Sequence, residues 1–282
     1  MIVDFHTHIF PPEVIGKRQF YVGRDRAFAL LYGDPGARLA TAEETVEAMD
    51  REGVDRSVAF GFPWSDPGLC RLGNDYVLEA QRRYPGRLVA FYTPSLECGP
   101  DQVRETGDGL ARGMQGVGEV ALYLDSASSG GDLLTRLGPL AEAALEKKVP
   151  FLLHVNEPVG HLYPGKVDVR LMDIWRFAAG FPELKLVLAH WGGGLCFYEL
   201  MKSVRRSLGN LYYDTAASPF LYEPRVYRIA AEILGAERIL FGSDFPLIPP
   251  SRYFREIEGA GLPAGQKDCI LGENALRLLG GG

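Results

Sequence analysis

Short apolar runs recur along the whole chain, and stretches of helical character separate most of them. The runs cover residues 2–6, 56–61, 87–92, 114–121, 149–155, 184–190, 210–216 and 237–243. Runs of this length are typical of buried strands, whereas residues 133–147 and 195–208 have helical spacing. Because strands that alternate with helices favour a parallel sheet with right-handed crossovers, eight such units predict a (β/α)8 TIM barrel.

Capping and spacing signals add detail between these runs. Thr41 and Glu44 have the T-x-x-E spacing of a capping box, which predicts a helix that begins there and ends near Gly53. Residues 10–40 form a long polar and aromatic loop after the first strand, and a loop of this length suggests a lid. The chain ends in a pattern that predicts an additional C-terminal helix packed outside the barrel, with one apolar face made by Leu271, Ala275, Leu278 and Leu279.

An open, doubly wound sheet is the competing architecture. Such a sheet usually binds its ligand through a glycine-rich turn after an early strand, and no G-x-G-x-x-G pattern occurs in this chain. Residues 192–194 of HWGGG are therefore interpreted as a tight turn into the next helix. Barrels of ~250 residues commonly form one domain, so a chain of 282 residues with 46% hydrophobic content predicts one domain over residues 1–282.

Composition excludes several classes of partner. The net charge of −6 and the absence of a long basic run argue against nucleic acid. No apolar stretch approaches the ~20 residues that span a bilayer, and we expect no removable leader before His6. The four cysteines are widely spaced, which predicts buried thiols and a cytoplasmic protein rather than a disulfide framework; they are Cys70, Cys98, Cys196 and Cys269.

Four of the five histidines end apolar runs, where a parallel barrel displays its chemistry. His6 and His8 lie two apart on one strand, so their side chains share a face. His154 and His190 end the fifth and sixth runs, and two carboxylates occupy similar positions, Glu119 and Asp244. One such histidine would be interpreted as a core residue bonded to a backbone carbonyl, but this set of nitrogen and oxygen ligands suits a divalent metal, zinc above all.

These motifs together resemble the amidohydrolase superfamily, in its amidohydrolase-2 branch of aminocarboxymuconate-semialdehyde decarboxylase-like enzymes. The matching segments span the chain: DFHTHIFPPE at 4–13, LLHVNEPVGH at 152–161, LAHWGGG at 188–194, YDTAASP at 213–219, FGSDFP at 241–246 and GENALRLL at 272–279. The resemblance implies that the residues matching His6, His8, His154 and Asp244 hold a metal ion. It also points to a homo-oligomer, which no feature of the sequence itself indicates.

The resemblance leaves the number of metal ions open. His190 matches a histidine that contacts substrate or activated water in one-metal members and binds a second metal in two-metal members. No lysine stands where some members have a carboxylated bridging lysine, so with two metals Glu119 must be the bridge. With one metal, Glu119 is a further ligand or orients the substrate.

A bound Lewis acid determines the expected chemistry. It can lower the pKa of a coordinated water from ~15.7 to about 7 and polarise a carbonyl. Asp244 would then act as general base and acid, and His190 would donate to the developing oxyanion. The main hypothesis is a metal-dependent hydrolase of a small lactone, amide or ester, and the alternative is a nonoxidative decarboxylase or hydratase of a small aromatic or unsaturated acid. A noncatalytic metal-binding barrel is the third hypothesis, against which the completeness of the ligand set argues.

The sequence indicates the residues that contact the substrate less clearly than it indicates the metal ligands. The loop over residues 10–40 carries cations and rings that could meet a carboxylate and cover an apolar body: Lys17, Arg18, Arg24, Arg26, Phe20, Tyr21, Phe28 and Tyr32. Solvated surface charge is an equally good interpretation for each cation. We select as candidate substrate contacts Arg24, Trp64, Asn156, His161 and Trp191.

Overall fold

The computed structural model describes residues 1–95, 101–123, 133–167 and 170–280, and its centre is an eight-stranded parallel sheet. The strands follow one another in chain order, each hydrogen-bonded to the next. They are β1 (Val3–His8), β2 (Arg56–Phe60), β3 (Leu88–Tyr92), β4 (Gly116–Val120), β5 (Phe151–Leu153), β6 (Leu186–Leu188), β7 (Leu211–Asp214) and β8 (Ile239–Leu240). Each strand falls within or beside one of the eight apolar runs, which confirms the predicted order.

Hydrogen bonds between β1 and the segment after β8 bring the two ends of the sheet together. The Phe5 amide donates to the Phe241 carbonyl at 2.7 Å, and the His8 amide donates to the Phe245 carbonyl at 2.8 Å. Between them the Asp244 amide donates to the His6 carbonyl at 2.9 Å. The fold is therefore the predicted (β/α)8 TIM barrel.

Helices cover the outside of the strands. They are α1 (Pro12–Gly16), α2 (Arg18–Val22), α3 (Arg26–Tyr32), α4 (Ala42–Glu52), α5 (Pro67–Arg83), α6 (Asp101–Ala111), α7 (Leu133–Lys147), α8 (Leu171–Gly180), α9 (Leu195–Tyr198), α10 (Lys202–Ser207), α11 (Ser218–Leu221), α12 (Val226–Leu234), α13 (Pro250–Gly259), α14 (Ala264–Asp268) and α15 (Asn274–Leu278). A turn of residues with positive φ occupies His190–Gly194, a short 3₁₀ segment occupies Ala236–Arg238, and a π-helical turn occupies Cys269–Glu273. No helix in these described ranges is long and apolar enough to cross a membrane.

Helix α4 begins and ends where the capping signals predicted. The Thr41 hydroxyl accepts the Glu44 amide at 3.2 Å, and Glu44 accepts the Thr41 amide at 2.8 Å. Gly53 closes the helix with φ of +76°, a left-handed conformation that glycine adopts without a steric penalty. The capping box and the helix end are confirmed.

Three segments differ from their predicted form. Residues 10–40 contain the short helices α1, α2 and α3 rather than an open loop. The helix expected over 195–208 is interrupted between Tyr198 and Lys202. The C-terminal helix α15 closes the amino-terminal end of the barrel, because Ala275 and Leu278 join the cluster of inward-facing strand residues.

Bulges in β1 and β4 turn functional side chains into the barrel. In β1, Asp4 pairs with Ser57 and Thr7 with Ala59, so Phe5 and His6 share one partner position. In β4 the register shifts in the same way between Val117 and Val120, which pack outward against the helices. A bulge adds one residue to its strand and re-aims the side chain there, which here directs Glu119 inward.

Buried side chains form two layers around the strands. An inner cluster fills the barrel below its mouth and includes Val58, Leu152 and Val187. A larger outer cluster lies between strands and helices, where Phe151 contacts Phe177 of α8 at 6.0 Å between ring centroids. Cys70 and Cys196 are buried free thiols and Cys269 is partly exposed, whereas Cys98 lies outside the described residues.

Candidate metal centre and active site

Six side chains from five strands converge at the carboxyl-terminal mouth of the barrel. His6 and His8 end β1 and Glu119 lies in β4, while the other three directly or closely follow β5, β6 and β8; these are His154, His190 and Asp244. Their ligand atoms form three overlapping groups, each within 4.8 Å: His6, His8 and Glu119; His6, His190 and Asp244; Glu119, His154 and His190. The spatial convergence on which the metal hypothesis depends is present.

The two carboxylates lie between the imidazoles. Glu119 Oε1 is 2.9 Å from His154 Nδ1, 3.6 Å from His6 Nε2 and 3.8 Å from His190 Nε2. Asp244 Oδ1 is 3.3 Å from His8 Nε2 and 3.7 Å from His6 Nε2. Glu119 is thus central to the cluster, and Asp244 closes the side formed by β1.

The second nitrogen of every imidazole faces an acceptor outside the cluster. His6 Nδ1 lies 2.8 Å from Asp214 Oδ2, and the other three rings face backbone carbonyls: His8 Nδ1 that of Gly61 at 3.4 Å, His154 Nε2 that of Gly165 at 3.0 Å and His190 Nδ1 that of Ala216 at 3.0 Å. An imidazole bonded this way carries its N–H outward and directs its other nitrogen inward. All four rings are therefore oriented with their other nitrogen towards one space.

One of these inward nitrogens lacks any hydrogen bond. His6 Nε2 is buried and has no partner, although buried polar atoms in proteins are nearly always paired. The surrounding atoms are imidazole nitrogens and carboxylate oxygens, which are the ligands that zinc and similar divalent ions take. The residues present therefore fit a divalent cation.

The protonation of the cluster depends on its carboxylates. Burial alone would lower the pKa of His6, but the charges of Asp214 and Glu119 outweigh burial and raise it to about 9. Burial likewise opposes the charged form of His190, yet Glu119 and Asp244 raise its pKa to about 10. Burial would raise the pKa of Glu119, but the charges of His154 and His6 hold it well below its usual value. Positive charge is strongly favoured here, as a proton or as a metal ion.

Asp214 positions two of the rings and was not selected from the sequence. It is fully buried at the end of β7, where Oδ2 faces His6 Nδ1. Its Oδ1 accepts the amides of His190 at 2.8 Å and Ala216 at 3.0 Å. Asp214 lies within the seventh apolar run and ends β7, so the strand-end position that indicated the other residues could also have indicated it.

A cavity of about 630 Å³ opens above the cluster. Most of its wall is apolar or aromatic, including Leu31, Tyr32, Tyr123, Pro164, Ala217, Phe220, Leu221, Pro246 and Leu247. The Tyr123 hydroxyl donates to Glu119 Oε2 at 3.3 Å, and its ring stacks on Phe62. Arg38 also lines the cavity, and sequence analysis did not select it because nothing in its local sequence distinguishes it from other surface arginines.

The predicted substrate contacts lie in different places. His161 lines the cavity. Asn156 is buried, and its side chain bonds both the amide and the carbonyl of Val167. Trp191 is buried and donates to Ser218 Oγ at 2.6 Å. These bonds hold Asn156 and Trp191 in the protein interior, and neither residue lines the cavity.

Two further candidates also lie outside the cavity wall. Trp64 is 2% exposed and stacks on Phe28 at 4.5 Å, so it packs in the aromatic core under the first-strand segment. Arg24 is exposed, with its guanidinium 5.0 Å from the centre of the Phe20 ring. The structure does not bring Trp64 or Arg24 to the site, because aromatic packing engages both.

The family profile described as amidohydrolase matches residues 3–281. The chain belongs to the amidohydrolase family. This membership confirms the resemblance seen in the sequence and accounts for the clustering of histidines and acids at the mouth. Among curated proteins, none has a sequence that matches this amidohydrolase significantly.

Solved structures share the fold of this amidohydrolase at low sequence identity. A dihydroxybenzoic acid decarboxylase from Polaromonas sp. JS666, with bound manganese and 2-nitroresorcinol, has a TM-score of 0.76 and 18% identity over 99% of this chain and 96% of the other. 5-Carboxyvanillate decarboxylase from Sphingomonas paucimobilis has a TM-score of 0.73 and 17% identity over 99% and 98%. 4-Oxalomesaconate hydratase from Rhodopseudomonas palustris has a TM-score of 0.68 and 17% identity over 99% and 96%.

Proposed function

We propose that this amidohydrolase is a metal-dependent nonoxidative decarboxylase of a small aromatic or unsaturated carboxylic acid. The position of Asp244 carries the proposal. Its Oδ1 lies 3.3 Å from His8 Nε2 within the cluster, and the same carboxylate lines a cavity with largely apolar walls. An acid group that faces both a cation site and an apolar cavity can deliver a proton to a carbon atom held there.

Apolar walls favour loss of carbon dioxide. A carboxylate concentrates its charge on two oxygens, whereas the transition state for release of carbon dioxide spreads that charge over the substrate. Removing water therefore costs the carboxylate more than it costs the transition state. Leu31, Phe220 and Leu247 give the cavity apolar walls, against which the carboxylate of a bound substrate would lose part of its hydration.

The metal ligands proposed are His6, His8, Glu119, His154 and Asp244. The bound cation would supply a Lewis acid that holds oxygen atoms of the substrate. A protonated Nε2 of His190 would donate to a carboxylate oxygen and orient it. Asp244 would take a proton from water in the cavity and deliver it to the carbon that loses carbon dioxide, so one proton is consumed for each carbon dioxide released.

We further propose zinc as the ion, from the nitrogen-rich set of ligands. The Polaromonas enzyme binds manganese, so both ions require testing. Elemental analysis of purified protein would give identity and stoichiometry. A stoichiometry near one ion per chain would favour a role of His190 on the substrate, and one near two would favour Glu119 as a ligand of both ions. The buried thiols of Cys70 and Cys196 suit a cytoplasmic enzyme. The proposed binding partner is a small-molecule substrate.

Hydrolysis of a lactone, amide or ester is the second candidate. The observation in its favour is Glu119, which contacts His154 and reaches His6 and His190, as a bridging ligand between two ions would. The decarboxylase and hydratase structures share only the fold with this chain. They nevertheless support placing a lyase activity ahead of hydrolysis in this proposal.

The deciding experiment is turnover in D₂O by zinc-loaded and manganese-loaded enzyme. We expect release of carbon dioxide from at least one member of a panel of hydroxybenzoic and unsaturated acids, with one deuterium at the carbon that lost the carboxylate. A panel of lactones, esters and amides should stay intact. Hydrolysis in that panel without any carbon dioxide would reverse the assignment.

Asp244→Asn tests the assigned proton transfer. Asparagine has nearly the same shape but cannot carry the proton, so kcat should fall by about 10²–10⁴-fold at saturating metal. Measurement of kcat and metal content together separates loss of proton transfer from loss of the ion. Wild-type activity in this variant would remove Asp244 from the mechanism.

A further inference from the structure

Tyr123 lies where the cavity wall meets the cluster of histidines and acids. It follows β4 closely in the chain and lines the cavity. Its hydroxyl donates to Glu119 Oε2 at 3.3 Å, and an ionised carboxylate can only accept such a bond. The hydroxyl of Tyr123 is therefore in contact with a proposed metal ligand and not with the cavity alone.

The Tyr123 ring is packed on two sides. The Phe62 ring lies nearly parallel to it, with 5.8 Å between centroids and 6° between planes, and the His154 ring meets it edge-on at 5.2 Å. Phe62 is itself buried, in contact with the rings of Phe28 at 5.5 Å and Trp64 at 5.1 Å. These contacts leave the ring little freedom to move, so its hydroxyl has a defined position beside Glu119.

The two carboxylate oxygens of Glu119 have different surroundings. Oε1 faces three imidazole nitrogens: His154 Nδ1 at 2.9 Å, His6 Nε2 at 3.6 Å and His190 Nε2 at 3.8 Å. Oε2 faces the Tyr123 hydroxyl and one imidazole nitrogen, His8 Nε2 at 3.9 Å. A hydrogen bond to one oxygen of a carboxylate ligand fixes the rotation of the group, and with it the oxygen that the metal ion meets.

We propose that Tyr123 is a positioning residue of the metal centre, whose hydroxyl holds the Glu119 carboxylate so that Oε1 is the oxygen offered to the cation. Without the hydroxyl the carboxylate is free to rotate, and Oε2 can approach the cation as well. This inference rests on the metal centre of the proposed function. It does not depend on which reaction that centre performs.

Tyr123→Phe tests the role, because it removes the hydroxyl and keeps the packed ring. Competition with a chelator should show that zinc binds about 10–100-fold more weakly, the usual effect of removing an outer partner of a ligand. The visible absorption spectrum of the cobalt-loaded protein should also change, because the d–d bands of cobalt depend on the number and arrangement of its ligands. Thermal melting verifies that the fold is kept.

Tyr163→Phe is the matched control. Tyr163 also lines the cavity, but its hydroxyl donates to Glu157 at 3.1 Å, outside the cluster. Its loss should leave the zinc dissociation constant and the cobalt spectrum as in the wild type.

A double-mutant cycle with Glu119→Ala tests whether Tyr123 acts through this carboxylate. Once the acceptor is gone, Tyr123→Phe should change the zinc dissociation constant by less than about twofold, because the two side chains act as one unit. A full loss of affinity from Tyr123→Phe in the Glu119→Ala background would show that Tyr123 acts by another route, and would overturn the proposal.

Two results with the single variants also overturn it. One is an unchanged zinc dissociation constant in Tyr123→Phe, and the other is an equal loss of affinity in Tyr163→Phe. Wild-type protein that binds no zinc would remove the metal centre and this role together. A protein that shows the expected differences in metal binding but releases no carbon dioxide from any acid keeps the role of Tyr123 and loses the decarboxylase assignment.

Discussion

At the scale of single residues, Asp214 controls the orientation of His6 and the start of the HWGGG segment. Its Oδ2 faces His6 Nδ1 at 2.8 Å while Oδ1 accepts the His190 amide. An acceptor in this position fixes the tautomer of a metal-binding imidazole and raises its basicity. Asp214 therefore acts through His6 and His190 rather than on the substrate.

Asp214→Asn should weaken metal binding by about 10–100-fold, the usual effect of removing such an outer partner. The amide keeps the size of the side chain, so secondary structure should persist, as circular dichroism would show. Competition with a chelator gives the dissociation constant for zinc. An unchanged dissociation constant would mean that Asp214 serves the backbone of residues 190 and 216 alone.

Residues at strand ends were predictable because barrel topology gathers them regardless of their separation in the chain. His6, His154 and Asp244 follow that rule, and their convergence needs only the strand order. Arg38 and Trp64 were not predictable in the same way. Loop conformation decides which side chains reach the cavity, and it depends on packing between the segment 10–40 and the barrel mouth.

At the scale of elements, the HWGGG segment has an unusual backbone. His190, Trp191, Gly192 and Gly193 all have φ between +55° and +60°, so the chain makes a left-handed turn directly after β6. The sequence predicts a tight turn at the glycines, but the left-handed run that includes His190 is not visible in the pattern. The turn directs the His190 ring towards Glu119.

Gly193 and Gly194 provide a matched pair of substitutions. A Cβ at Gly193 would lie 2.3 Å from the Asn156 carbonyl oxygen, whereas the nearest atom to a Cβ at Gly194 is 3.6 Å away. Both have positive φ, so alanine costs roughly 1–2 kcal/mol of strain at either position. Gly193→Ala should cost more than Gly194→Ala in the free energy of unfolding, measured by urea denaturation. Equal losses would show that the segment moves away from Asn156 freely.

At the scale of the whole molecule, the cluster couples folding to pH when no metal is bound. The pKa of His6 is about 9 in the folded protein against an ordinary value near 6.5, and that of His190 is about 10. Folded protein therefore holds these protons where unfolded protein has released them. The stabilising contribution is complete below pH 6.5 and is lost as the pH rises towards 9 and 10.

We accordingly expect the free energy of unfolding of chelator-treated protein to fall between pH 6.5 and 9. His6→Gln should flatten this slope, whereas His161→Gln should not, because His161 is exposed and outside the cluster. Saturating zinc should reverse the trend, since the ion binds best where the imidazoles have lost their protons. Urea denaturation at several pH values, with and without zinc, measures both slopes. Metal-free protein whose stability rises over this range would show that the carboxylates do not hold protons on the histidines, and that a cation is not favoured at the barrel mouth.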